Sequence, residues 1–132
     1  MQPWPRPPAG RDLLVHRVGS RLALFVQIKG TAVVRGHDLV RFHVRRHTFV
    51  PADDFWLALY CWVRRPPGLF PECWLIPSIE LAQRTAHQRD SSYLTIDARL
   101  EASVDRWATW RCPIDEQADA FRAALSQLRA AA

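Results

Sequence analysis

Hydrophobic and polar residues alternate with period two through the first part of the chain and switch to helical spacing near its C-terminus. Asp12–Val18 and Arg21–Lys29 read as two strands, and Gly19-Ser20 between them has the Gly-X chemistry of a two-residue II′ hairpin turn. That turn sets Val18 opposite Arg21, Val15 opposite Leu24 and Asp12 opposite Gln27, with Lys29 in diagonal reach of Asp12. On the other face of the second strand, Leu22, Leu24, Val26 and Ile28 form an aliphatic row that is predicted to enter the core.

Further along, Leu39–His47 alternates Val40, Phe42 and Val44 with Arg41, His43 and Arg45, the pattern of a half-exposed strand with a basic outer stripe. Phe55–Val63 is apolar at nearly every position and predicts a strand covered on both faces. Arg64–Gly68, with Pro66 and Pro67, is a turn, and Cys73–Ile76 is a short strand. Pro77 and Ser78 open a short helix running to about His87, with Glu80 in its first turn. Gln88–Ser92 is a polar loop, and Tyr93–Cys112 gives the least distinct pattern of the chain. After Pro113, Ile114, Ala118, Phe121, Leu125 and Leu128 recur at helical spacing, with acids early and Arg122 and Arg129 late. The expected fold is α/β: a mixed β-sheet with an N-terminal β-hairpin, flanked by a short middle helix and a C-terminal helix.

Residues 1–10 hold four prolines and read as an extended tail, which leaves residues 11–132 as one domain. With 132 residues, 48% of them hydrophobic, the chain buries about two thirds of its unfolded surface without needing metal or disulfide staples. It has no apolar run of membrane-spanning length and no apolar stretch of signal-peptide type at its start. Cys61, Cys73 and Cys112 are odd in number and lack C-x-x-C spacing, which suits free thiols in a reducing compartment. A cytoplasmic protein with no membrane contact is the expectation. Its net charge of +5 favours a polyanionic partner. Of 18 cationic side chains, Lys29 is the single lysine, and only an ammonium is a compact point charge whose pKa moves readily on burial.

Asp12 followed by Gln27-Ile28-Lys29 on the neighbouring strand resembles the active-site pattern of the PD-(D/E)XK superfamily, the restriction-endonuclease-like nucleases. In that superfamily an Asp ends one strand of a hairpin, and an acid or glutamine, a spacer and a lysine follow on the next. Phe55-Trp56-Leu57-Ala58-Leu59 and the Cys73–Ser78 strand-to-helix step are similar to bacterial members, so the likeness spans about Arg11 to Glu80. It implies a restriction-endonuclease-like core and metal-dependent hydrolysis of DNA phosphodiesters. Asp12, Gln27 and the Ile28 carbonyl would hold Mg²⁺ or Mn²⁺, because a hard divalent ion takes oxygen ligands and keeps several waters. Lys29 would orient the attacking water or stabilise the developing charge, so that Asp12, Gln27 and Lys29 form the expected catalytic set. Gln27 stands where the superfamily often has a second carboxylate. The helix that usually precedes the hairpin, and often adds a further acid, would fall in the proline-rich start, so a homodimer or a partner chain completing the site is an expectation too.

The stripe Arg41, His43, Arg45 and Arg46 is a candidate nucleic-acid contact, since each cation placed on a phosphate adds salt-dependent affinity. His37, His43 and His47 share strand parity, but residues 37 and 43 lie about 20 Å apart on an extended strand and do not chelate one ion together. Asp53-Asp54 point to opposite faces and read as a polar lead-in to the following strand. The six tryptophans are mostly core by context, and an exposed one could stack on a base. The alternative reading is a non-catalytic nucleic-acid-binding or assembly subunit that retains the nuclease fold; a third is a globular interaction protein with no nucleic-acid role.

Overall fold

In a computed structural model of the chain, the described residues are 10–33, 39–64, 66–89, 92–101 and 105–131. The strands are β1 (Leu13–His16), β2 (Ala23–Val33), β3 (Leu39–Arg45), β4 (Phe55–Arg64), β5 (Pro67–Leu69), β6 (Glu72–Pro77), β7 (Tyr93–Arg99) and β8 (Arg111–Pro113). The helices are α1 (Ser78–Arg84) and α2 (Gln117–Ala131). One mixed sheet has the order β1-β2-β4-β6-β8, with β5 paired to the end of β4; β3 and β7 form a second, two-stranded sheet. In the mixed sheet β2 and β4 run parallel and the other pairs are antiparallel. The α/β class with a mixed sheet, an N-terminal hairpin, a short middle helix and a C-terminal helix is thus as expected. The tail at residues 1–9 and His37 lie outside the described residues.

The hairpin keeps the expected register, with Val15 opposite Leu24 and Leu13 opposite Val26, but closes differently. Pairing stops at His16 and Ala23. The turn is formed by Arg17–Ser20, with the Ser20 N–H donating to the Arg17 carbonyl at 3.0 Å and Gly19 at φ +81°. A positive φ at the third residue of a turn favours glycine, so Gly19 serves one position later in the turn than the two-residue loop requires. Val18 does not face Arg21; it is 94% exposed.

The two faces of the mixed sheet build two cores. On one face Phe25, Phe55, Leu57, Leu59, Trp74 and Ile76 pack against Val40, Phe42, Val44, Leu94, Ile96 and Ala98 of the small sheet and Leu81 of α1. On the other, Leu24, Val26, Ala58, Cys73 and Leu75 lie under Ala120, Phe121, Ala124, Leu125 and Leu128 of α2. β4 is covered from both sides over most of its length, which is why its sequence lacks alternation. The aliphatic row on β2 is only partly a core row: Leu24 and Val26 are buried, while Ile28 is 40% exposed beyond the cover of α2.

Three further boundaries differ from the periodicity. β3 ends at Arg45 because its partner β7 begins at Tyr93, and Arg46–Thr48 turn as a 3-10 helix. α1 stops at Arg84, where the buried Thr85 hydroxyl donates to the Leu81 carbonyl at 2.7 Å and closes the last turn. A 3-10 turn, Ile114–Glu116, separates Pro113 from α2, whose first turn is held by the Tyr60 hydroxyl donating to Gln117 Oε1 at 2.6 Å. The stretch Tyr93–Cys112 resolves into β7 and β8, joined by Arg111. Its guanidinium donates to both Glu72 carboxylate oxygens at 2.8 and 3.2 Å and to the Arg99 and Leu100 carbonyls. No helix among the described residues is long and apolar enough to cross a membrane.

Candidate functional site

β2 positions the candidate residues through its two alternations, one of side chains and one of backbone groups. The Phe25 N–H donates to Asp54 O at 2.7 Å, so the polar backbone groups of Phe25, Gln27 and Lys29 face β4. Those of Leu24, Val26 and Ile28 therefore face β1, as the Asp12 N–H donating to Val26 O at 2.7 Å confirms. β1 begins at Leu13, so Ile28 lies past its end. The Ile28 N–H instead donates to Asp12 Oδ2 at 2.7 Å. The Ile28 carbonyl points to the same edge, because both polar groups of one strand residue share a side. The exposed Asp12 carboxylate and the Ile28 carbonyl oxygen are thus neighbours at the edge of the sheet.

Gln27 and Lys29 lie on the face of β2 that turns toward the small sheet, opposite Leu57 and Leu59 of β4. Gln27 is 6% exposed and its amide has no hydrogen-bond partner among the described residues. No fully enclosed side-chain nitrogen or oxygen there lacks a partner, so the amide meets solvent through that small opening. Lys29 is half-buried, and its ammonium forms no ion pair or hydrogen bond among the described residues, with Asp12 or otherwise.

Arg11 holds this end of the hairpin in place, a role the sequence reading did not assign. Its guanidinium lies 5.1 Å from the centre of the Phe25 ring and 4.4 Å from that of Phe55. It reaches Val50 O at 3.4 Å and Asp54 at 4.0 Å, with its side chain 12% exposed. Arg11 therefore anchors the backbone one residue before Asp12.

Among the described residues no three His, Cys, Asp or Glu side chains are grouped to hold a metal. The candidate donors are of another kind: the Asp12 carboxylate and the Ile28 carbonyl at the edge of β2 and the Gln27 amide on the face turned toward the small sheet, each able to offer an oxygen. That set fits Mg²⁺ or Mn²⁺, which bind through one or two carboxylates and complete an octahedron with water; it is a poor match for zinc, which prefers nitrogen and sulfur.

The basic stripe is separated from these residues. Val40, Phe42 and Val44 turn toward the mixed sheet, so Arg41, His43 and Arg45 point away from it. Arg41 is engaged already: Nε and Nη2 donate to the two Asp97 oxygens at 2.7 and 3.2 Å. That hydrogen bonding, with the Asp97 charge, raises the pKa of the guanidinium further. The His43 ring packs edge-on to Tyr93 at 5.8 Å, and Arg45 is exposed. Arg46 leaves the strand and donates to the Gln88 carbonyl. Tyr93, Asp97 and Arg99 of β7 share this outer face and were not assigned from sequence, although Leu94, Ile96 and Ala98 carry the period-two signal that places them there. The chain was compared with protein-family models, curated proteins and solved structures, and no match was found in any of the three.

Proposed function

We propose that the chain is a metal-dependent nucleic-acid phosphodiesterase with a restriction-endonuclease-like core, acting on DNA, with its site at the β1–β2 edge. The observation that supports this reading is that Gln27 and Lys29, two polar side chains on one face of β2 with no partner among the described residues, flank Ile28, whose N–H holds the Asp12 carboxylate. The resemblance of Asp12 and Gln27-Ile28-Lys29 to the PD-(D/E)XK pattern adds to it, and the mixed sheet with its hairpin at one edge is compatible with it.

Asp12, Gln27 and the Ile28 carbonyl would hold Mg²⁺ or Mn²⁺, which when bound lowers the pKa of water and offsets charge on the phosphate. Asp12 is oriented for this by the Ile28 N–H, which engages Oδ2 and leaves Oδ1 to a ligand. Gln27 presents its amide from a buried stem, which restricts its rotamers. Lys29 supplies a cation with no partner among the described residues, able to orient the attacking water and to stabilise the pentacoordinate transition state.

One specific observation favours a second reading. Among the described residues no three His, Cys, Asp or Glu side chains are grouped at the site, and the Arg41–Arg45 face lies on the far side of the small sheet. A nucleic-acid-binding or assembly subunit that retains the fold without cutting matches that arrangement. The test is cleavage of plasmid, linear duplex and single-stranded DNA with Mg²⁺ or Mn²⁺, beside Lys29→Ala and a chelator control. Cutting lost in both controls establishes the nuclease. Cutting that persists in Lys29→Ala, or no cutting at all, overturns it, and salt-dependent binding without cutting favours the second reading.

A further inference from the structure

Cys73 on β6 and Cys112 on β8 are direct cross-strand partners whose sulfurs lie 3.7 Å apart under α2. The Ile114 N–H donates to Pro71 O at 2.9 Å, which makes that pair a hydrogen-bonded one. Two residues further along each strand, Cys73 and Cys112 form the next pair of this kind. Such pairs hold their Cα atoms about 5.5 Å apart, within the range of about 4.4–6.8 Å that a disulfide spans. Bringing the sulfurs to bonding distance therefore requires side-chain adjustment and no rearrangement of the strands.

The two thiols are unequally accessible: Cys73 is fully buried, and Cys112 is partly exposed on a three-residue edge strand. We propose that Cys73 and Cys112 are a peroxide-reactive pair that closes to an intramolecular disulfide. The Cys112 thiolate attacks one oxygen of hydrogen peroxide; the O–O bond breaks, water leaves after protonation, and Cys112 becomes a sulfenic acid. The Cys73 sulfur then attacks the Cys112 sulfur; the S–S bond forms, the S–O bond breaks, and the hydroxyl departs with the Cys73 proton as a second water. Two thiols are oxidised by two electrons and one peroxide is reduced to two waters. Cys61 stands apart on β4, in the other core.

Burial pushes both thiols up, and the carboxylates of Glu72, Asp115 and Glu116 add to this at Cys112. Tyr60 faces the same pair and is itself pushed up by burial and by the two sulfurs. The reaction accordingly quickens as pH rises and is slow beside an exposed cysteine at neutral pH. Its product ties β8, and the α2 helix that follows it, covalently to the neighbouring strand β6. This pair is independent of the proposed phosphodiesterase site.

The experiment treats the full-length protein with hydrogen peroxide, alkylates remaining thiols under denaturing conditions and maps the peptides by mass. The expected result is a Cys73–Cys112 peptide lighter by two hydrogens, with Cys61 alkylated, and a Tm raised on the order of 10 °C that dithiothreitol reverses. Cys61→Ser keeps that response and Cys112→Ser loses it. Sulfinic acid at Cys112 with Cys73 still alkylatable, or a disulfide between two chains, overturns the proposal; wild type alone decides this if a variant fails to fold.

Discussion

Asp12 Oδ2 accepts the Ile28 N–H at 2.7 Å, so the carboxylate takes the place of the backbone carbonyl that a longer β1 would offer. One oxygen thus serves the fold and the other is left for chemistry. Asp12→Asn keeps an acceptor for Ile28 and should leave stability nearly unchanged. Asp12→Ala removes the acceptor and should cost about 1 kcal/mol in urea unfolding. On the proposed function, metal-dependent cleavage should fall at least 100-fold in both, because both remove the charge that would hold the ion. Activity that survives in Asp12→Asn would show that the carboxylate is structural only.

Lys29 leads to a trade between stability and activity. Its ammonium is half-buried without a partner among the described residues, so the fold does not depend on it. Lys29→Met should leave Tm unchanged or raise it while abolishing cleavage. Lys29→Arg should not restore activity, since a planar guanidinium does not replace a compact ammonium at a fixed point. A Lys29→Met protein that is markedly less stable would show that the lysine is a structural residue.

Arg11 stabilises through two aromatic faces rather than through a short ion pair, since Asp54 is 4.0 Å away while Phe55 is directly beneath the guanidinium. Arg11→Ala should destabilise by about 1–2 kcal/mol, and Arg11→Lys should recover little of that because the lost contact is a stacked plane. The measurement is the urea midpoint of the three proteins. Equal midpoints for Arg11→Lys and wild type would rule out the stacking account.

Much of the fold follows from patterns that local chemistry imposes. The register of β1 on β2 was legible because a glycine turn and alternating apolar residues fix which side chains face each other, even though the turn itself is longer by several residues. β3, β4, β6 and both helices were legible for the same reason, with ends displaced where tertiary partners stop: Tyr93 for β3, Thr85 for α1. β8 was not legible, because three residues are too few to show a period and are held by Arg111 and Glu72, a long-range pair. Exposure of Ile28 was equally hidden, since only the length and placement of α2 decide which part of the aliphatic row is covered. At the candidate site, the shared face of Gln27 and Lys29 on β2 could be read from the alternation, whereas the Asp12–Ile28 hydrogen bond and the anchoring by Arg11 could not.

The outer face of the small sheet offers a test of nucleic-acid contact. Arg41 is occupied by Asp97, which both neutralises it and fixes its fork. Asp97→Asn should free that cation and remove a charge that repels phosphate. If DNA lies on this face, affinity should rise, and the slope of log K against log salt should steepen by about 0.9, one further phosphate contact on duplex DNA. Arg45→Ala should flatten the slope by a similar amount. Slopes unchanged in both variants would place DNA elsewhere on the molecule.

The Cys73 thiol gives the stability curve a limb at alkaline pH. Burial first, then the neighbouring Cys112, pushes it from 9.0 up to about 12. Below about pH 9 the thiol is protonated in both folded and unfolded chains, and its contribution is fully present. Between about 9 and 12 the unfolded chain releases this proton and the folded one retains it, so the unfolded state gains and stability falls as pH rises. Under reducing conditions, Tm of wild type should therefore decline steeply from pH 9 to 11. Cys73→Ala lowers Tm at neutral pH through the lost sulfur contact, yet its curve should be shallower over the same range, so that the two converge. Parallel curves would mean that Cys73 titrates alike in both states and that burial at this position does not restrain ionisation.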